Sequence, residues 1–229
     1  MSISIEFRHY LSIAHLSAAA LFASQCRALE ATAGTTPFDS PGRRQHNAFA
    51  VSAVIMSTAF LEATVNELFA DCAEDPPRPR VHAVASKELL GRMWTKGIPR
   101  TASYPILGKY EIALELNASP SMDQSARPYQ DVKLLTELRN ALIHFEPETI
   151  ISSGGVQPRH VHKFEKRLKG KFDENPLAGP GNPFYPDKLL GAGCAEWSVR
   201  SAVAFADDFF EKLGIEATYE PARSIYLHI

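Results

Sequence analysis

A chain of 229 residues with 45% hydrophobic content holds enough apolar side chains for one substantial core, or at most two small ones, and is not a disordered segment. With 24 Lys and Arg against 26 Asp and Glu, the formal charge of -2 excludes a global pull toward nucleic acid, so any such contact must come from a local patch. Cys26, Cys72 and Cys194 are too few and too scattered for a disulfide framework, form no CxxC knuckle, and fit a reducing cytoplasm.

Alanine, leucine and glutamate fill long segments between sharply clustered turn residues, which predicts an all-α fold in a single domain. A first helix is expected over residues 5–32. Arg8, His9 and His15 interrupt its apolar run, so it reads as neither a signal nor an anchor, and no continuous apolar span of about 20 residues is evident. After the loop "GTTPFDSPGR", a long helix is expected over 45–72. There Val54, Leu61, Val65, Leu68 and Cys72 recur with the period of one buried face. The prolines of "EDPPRPR" end it by removing amide donors and blocking the helical conformation of the preceding residues. Shorter helices follow over 86–95 and 104–117, within a variable stretch at about 76–128. Another helix runs over 129–146, with Val132, Leu135, Leu138, Leu142 and Phe145 as its apolar stripe and Pro147 as its stop. Residues 152–186 read as a long Gly- and Pro-rich excursion carrying one short helix. The last long helix covers 187–213, with Trp197, Val203 and Phe210 along one side and Gly214 as its C-terminal stop.

The stretch "LRNALIHFEPE", residues 138–148, places an arginine, an asparagine and a histidine inside an apolar segment. On an ideal helix Asn140 and His144 project to nearly one side, roughly opposite the leucine stripe, at about 100° per residue. Arg139 falls about 140° from His144. One helix therefore does not aim all three at a single point. Either its last turn is distorted or a second copy of the chain completes the group. In the final turn, unsatisfied carbonyls favour a protonated imidazole, which suits His144 to proton transfer. The structural reading is an i, i+4 hydrogen bond between Asn140 and His144, with Arg139 extending its stem along the core. The R-x4-H spacing also occurs from Arg223 to His228, and Arg8 and His15 are separated by six residues, so spacing alone identifies nothing.

Context separates these copies. Only Arg139 is followed by asparagine, and only His144 closes an apolar-periodic helix before a basic loop and another helix. With these features "ELRNALIHFEPE" resembles the signature of HEPN domains, as do the flanking segments "FLEATVNELF" and "CAEWSVRSAVAFADDFF" across about residues 45–213. The resemblance implies an all-α bundle that commonly dimerises with two motifs facing one cleft, and a metal-independent endoribonuclease, often a toxin of a toxin-antitoxin pair or a defence effector. Residue by residue, it makes Arg139 and His144 the catalytic pair and Asn140 the polar residue that orients them. Some HEPN toxins carry a tyrosine two residues after the histidine as a modification site; here Glu146 stands there.

The chemistry agrees with this reading. Attack of a ribose 2′-hydroxyl on the adjacent phosphate needs proton transfer and charge stabilisation at the phosphoryl oxygens, which histidine and arginine supply without a metal or cofactor. Arg159, Lys163, Lys166, Arg167, Lys169 and Lys171 against the single Glu165 form a candidate RNA-binding segment, or else a solvated face. Glu62 and Asn66, at i, i+4 on the long helix, either line the cleft or make a structural contact. His160 and His162 lack nearby cysteine or carboxylate partners for a metal site. No Walker-type, dinucleotide or G-x-S-x-G pattern is present. Besides a homodimeric hydrolase cutting RNA, two readings stay open. One is a catalytically silent HEPN-like module that binds RNA, nucleotide or a partner protein such as an antitoxin. The other is a structural helical dimer whose polar trio fixes helix pairing.

Overall fold

In the computed structural model, residues 8–32, 41–100, 104–147, 162–179 and 181–225 are described, and every regular element among them is helical. The longest pair is α1 (Leu11–Thr32) and α2 (Pro41–Cys72). On α1 the buried positions Leu16, Ala19, Ala20, Ala23 and Cys26 recur at helical spacing, and the alanines among them bring the two helices close. The pair is antiparallel. At one end Ser12 donates from its backbone N and its hydroxyl to Glu67, at 2.8 and 2.6 Å; at the other, His46 Nε2 lies 2.8 Å from Glu30 Oε1.

The expected stripe of α2, Val54, Leu61, Val65, Leu68 and Cys72, is buried. So are Ala50, Ala53, Phe60 and Phe69 on neighbouring faces, because α1, α7 and α5 surround the helix. This makes α2 long and apolar enough, by length and composition, to cross a membrane, a point that the sequence reading missed. Half of its most apolar window is buried inside the bundle, where the hydroxyls of Ser57, Thr58 and Thr64 donate to carbonyls of the helix itself. A central core helix has this composition for that reason.

Helix α3 (Lys87–Thr95) packs on the end of α2. Gly91 permits the contact: a Cβ there would sit 2.4 Å from the Cys72 carbonyl oxygen, which is backbone and cannot swing aside. Gly91→Ala is expected to cost about 1–3 kcal/mol through forced displacement of α3, read as a lowered urea midpoint at unchanged slope. A midpoint within error of the parent would show that α3 yields freely.

Helix α4 (Ile106–Leu116) inserts Tyr110, whose hydroxyl donates to the Leu61 carbonyl at 2.7 Å. Its ring meets Phe205 and Phe209 edge-on at 5.0 and 4.6 Å. These phenylalanines belong to α7 (Ala192–Leu213), which runs antiparallel to α1 and ends as expected at Gly214 in the left-handed conformation, φ 75°. Trp197 and Phe210 are buried there, while Val203 is only partly covered. Helix α5 (Tyr129–Ile143) lies against α2 and α7, and α6 (Lys163–Leu168) is the short helix expected in the Gly/Pro-rich excursion.

Several expected bounds need correction. Residues 8–10 are not helical, α2 starts at Pro41, and α7 starts five residues later than expected because a distorted turn, Phe184–Lys188, precedes it. Helix α5 stops at Ile143 and not at 146. Pro147 therefore does not end it: His144 already leaves the helix, with φ -101° and ψ 47°. The predicted stripe is buried at Val132, Leu135 and Leu138, half-buried at Leu142 and lost at Phe145, which is 49% exposed.

Candidate active site

The end of α5 is held by one backbone bond, from the His144 N–H to the Asn140 carbonyl at 2.9 Å, before the chain turns away. This turn frees the His144 side chain from the helical direction assumed in the sequence reading. Opposite it, His162 caps α6: its Nδ1 accepts from the Phe164 N–H at 3.2 Å. The acceptor role at Nδ1 leaves Nε2 as the protonated nitrogen of the neutral ring. The imidazole stacks on Tyr185, with centroids 4.5 Å apart and planes 13° from parallel. Tyr185 is extended within its distorted turn and donates its hydroxyl to the Ala141 carbonyl of α5 at 3.3 Å. Phe145 closes the rim, 6.4 Å from the Tyr185 ring.

These side chains border an open cavity of about 480 Å³, lined by Glu137, Asn140, Ala141, His144, Phe145, Glu146, His162, Lys163 and Tyr185. It brings together two imidazoles, an ammonium, an amide and two carboxylates. His162 and Tyr185 were not expected here; the sequence reading weighed His162 only as a metal ligand. Its capping position before a six-residue helix was the signal that could have placed it.

Asn140 lines the cavity, but its Oδ1 accepts from Arg139 Nη1 at 2.9 Å, and no bond from Asn140 to the His144 side chain occurs among the described residues. Arg139 itself does not line the cavity. It stands beside it through its bond to Asn140. Context again distinguishes the arginines. Arg223 pairs with Asp207 and Glu220, and Arg8 with Asp71 and Glu74. Arg139 has no carboxylate partner among the described residues, so its remaining donors are available to an anion. His228 lies outside the described residues.

The other candidates divide. Lys163 lines the cavity and Lys166 is exposed, whereas Arg167 pairs with Glu137, Lys169 with Glu165 at 3.1 Å, and Lys171 with Asp131 at 2.7 Å. The basic segment is therefore partly neutralised, and Glu165 is not its sole acidic neighbour in space. Arg159 and His160 lie outside the described residues. Glu62 and Asn66 do not line the cavity. Both bind the buried ammonium of Lys109 on α4, which donates to Glu62 and, at 3.2 Å, to Asn66 Oδ1. The structural reading holds for this pair, since a lysine only 2% exposed needs a counter-charge.

No protein-family model, curated protein or solved structure matches this chain.

Proposed function

We propose that this chain is a metal-independent endoribonuclease of the HEPN type, with its reaction centred on the cavity at the end of α5. The observation that carries the reading is the convergence of His144 and His162 on one cavity beside Arg139 and Lys163. One imidazole takes the proton of a ribose 2′-hydroxyl as that oxygen attacks the adjacent phosphorus. The other gives a proton to the departing 5′-oxygen as the P–O bond breaks, leaving a 2′,3′-cyclic phosphate. Arg139 and Lys163 offset the charge that builds on the non-bridging oxygens.

A second histidine from the same chain supplies the acid and base pair that the sequence reading assigned to two subunits. Homodimerisation remains part of the proposal on other grounds: Ile143 and Phe145, 44% and 49% exposed, lie beside the cavity where a second copy would cover them. A toxin or defence role in the cytoplasm, restrained by an antitoxin, is the biological setting that accompanies the resemblance.

The test is incubation of the purified protein with single-stranded RNA and with tRNA in excess EDTA. Cleavage with 2′,3′-cyclic phosphate ends is expected. Strict dependence on added metal, or 5′-phosphate products, would overturn the mechanism. The silent binding reading has its own support: Arg139 stays outside the cavity and three cations of the basic segment are paired with carboxylates. Saturable RNA binding without cleavage would select it.

A further inference from the structure

Away from the cavity, where α1 meets the start of α2, three ionisable side chains meet in the interior. Cys26 and Glu30 stand at i, i+4 on α1 and so share one face; His46 comes from the second turn of α2. Their Sγ, carboxylate oxygen and ring nitrogen lie within 4.8 Å of one another. Cys26 and His46 are fully buried, and the Glu30 side chain is only 6% exposed. Burying a thiol, an imidazole and a carboxylate together needs a reason, because each loses hydration.

We infer that Cys26, Glu30 and His46 bind a divalent transition-metal ion, Zn2+ by preference, as a structural site that joins α1 to α2. Sulfur, nitrogen and oxygen donors in one cluster match the ligand preferences of zinc. His46 Nε2 lies 2.8 Å from Glu30 Oε1, a hydrogen-bond separation shorter than the roughly 3.3 Å between two ligands on a tetrahedral ion, so the two side chains part slightly as the metal replaces the shared proton. His46 Nδ1 lies 3.5 Å from Asn47 Oδ1, an acceptor that favours the Nδ1–H tautomer with the Nε2 lone pair facing the ion. Glu30 is oriented from outside by the Ala192 N–H at 2.7 Å and by Arg27 Nη1 at 3.4 Å. These are the supporting bonds that hold a metal-binding carboxylate in place.

Drawing Cys26 Sγ onto the ion requires a small side-chain shift and release of its proton. That proton is firmly held in the absence of metal, since burial first, and the charge of Glu30 second, push the thiol up to about 12. The Ala192 N–H bond to Glu30 links the first turn of α7 to the same junction.

The experiment is stoichiometric. The full chain is offered Zn2+, passed through gel filtration and assayed by plasma mass spectrometry; a second sample is loaded with Co2+ and its absorption recorded. About one zinc per chain is expected, with a cobalt spectrum showing a thiolate charge-transfer band and the strong visible bands of a tetrahedral site. Cys26→Ser should lower affinity by at least about tenfold and remove the charge-transfer band, while Cys72→Ser should leave both unchanged. Since RNA cleavage does not enter the readout, the outcome is independent of the proposed reaction. A parent protein that retains no zinc, or cobalt bound without a thiolate band, would overturn the site and leave the trio as a hydrogen-bonded clasp. The cobalt measurement on the parent decides even if a variant does not fold.

Discussion

Replacement of Asp71 by alanine is expected to destabilise the fold by about 3 kcal/mol, the low end of the range for removing one partner of a buried ion pair. The Asp71 carboxylate has no exposed surface. It accepts from Arg8 Nη2 at 2.6 Å, from the Tyr10 hydroxyl at 3.0 Å and from Arg80 Nε. Its loss leaves Arg80 with its Nη1 and Nη2 already buried and without hydrogen-bond partners, its charge then offset by the Tyr10 ring, 5.5 Å away, and by the nearby Glu67 carboxylate. The low end applies because Arg8 and Arg80 keep 26% and 18% exposure, so water stabilises part of each freed cation. Arg223→Ala provides the comparison. It breaks contacts to half-exposed Asp207 and Glu220 and is expected to cost about 1 kcal/mol or less. Urea midpoints measure both. An Asp71→Ala shift no larger than that of Arg223→Ala would show that this clasp contributes little.

Local sequence signals found the helices because each was written in a pattern that survives folding. The stripe of α2 is buried residue for residue, and Gly214 ends α7 in the one backbone region where glycine is favoured. The errors fell where tertiary contacts override local pattern. Phe145 continued the α5 period but is exposed, because the chain leaves the helix at His144 and joins the aromatic group of Tyr185. No periodicity within residues 129–146 encodes that partner, which lies 40 residues further on. Lys109 shows the same limit from the other side: a charged residue in an apolar segment becomes interpretable only when Glu62 and Asn66, on a different helix, are seen around it.

The candidate site was half legible for the same reason. Asn140 and His144 both line the cavity and Arg139 does not, but helix geometry fixes only the directions of Asn140 and Arg139, because His144 has already left the helix. His162 was not placed, because its approach depends on capping α6 and stacking on Tyr185, both contacts between distant segments. The Cys26, Glu30 and His46 cluster was missed likewise. Two ligands at i, i+4 and a third across an interhelical connection do not form a compact motif.

The sharpest expected result concerns the two histidines. If RNA is cleaved in the cavity, His144→Ala should lower the rate by about 100-fold or more, the usual range for losing an acid or base group. Stability should change by about 0.5 kcal/mol or less, since His144 is exposed and outside the helix. His162 needs a gentler variant, because its Nδ1 caps α6. His162→Asn keeps a side-chain acceptor at the cap and removes only the titratable ring. With both imidazoles present, the rate should fall on the acid side as the base becomes protonated, and on the alkaline side as the acid loses its proton. The profile is then a bell. Loss of His162 should slow cleavage and erase one limb, whereas a capping residue without a proton-transfer role would leave the shape intact. Arg139→Ala should reduce the rate strongly and Asn140→Ala less, because Asn140 acts through the guanidinium that it holds. Arg223→Ala, whose arginine is committed to carboxylates, should leave cleavage unchanged. Activity that survives His144→Ala would refute the assignment. A bell-shaped profile that persists in His162→Asn would instead return the second imidazole to a partner subunit.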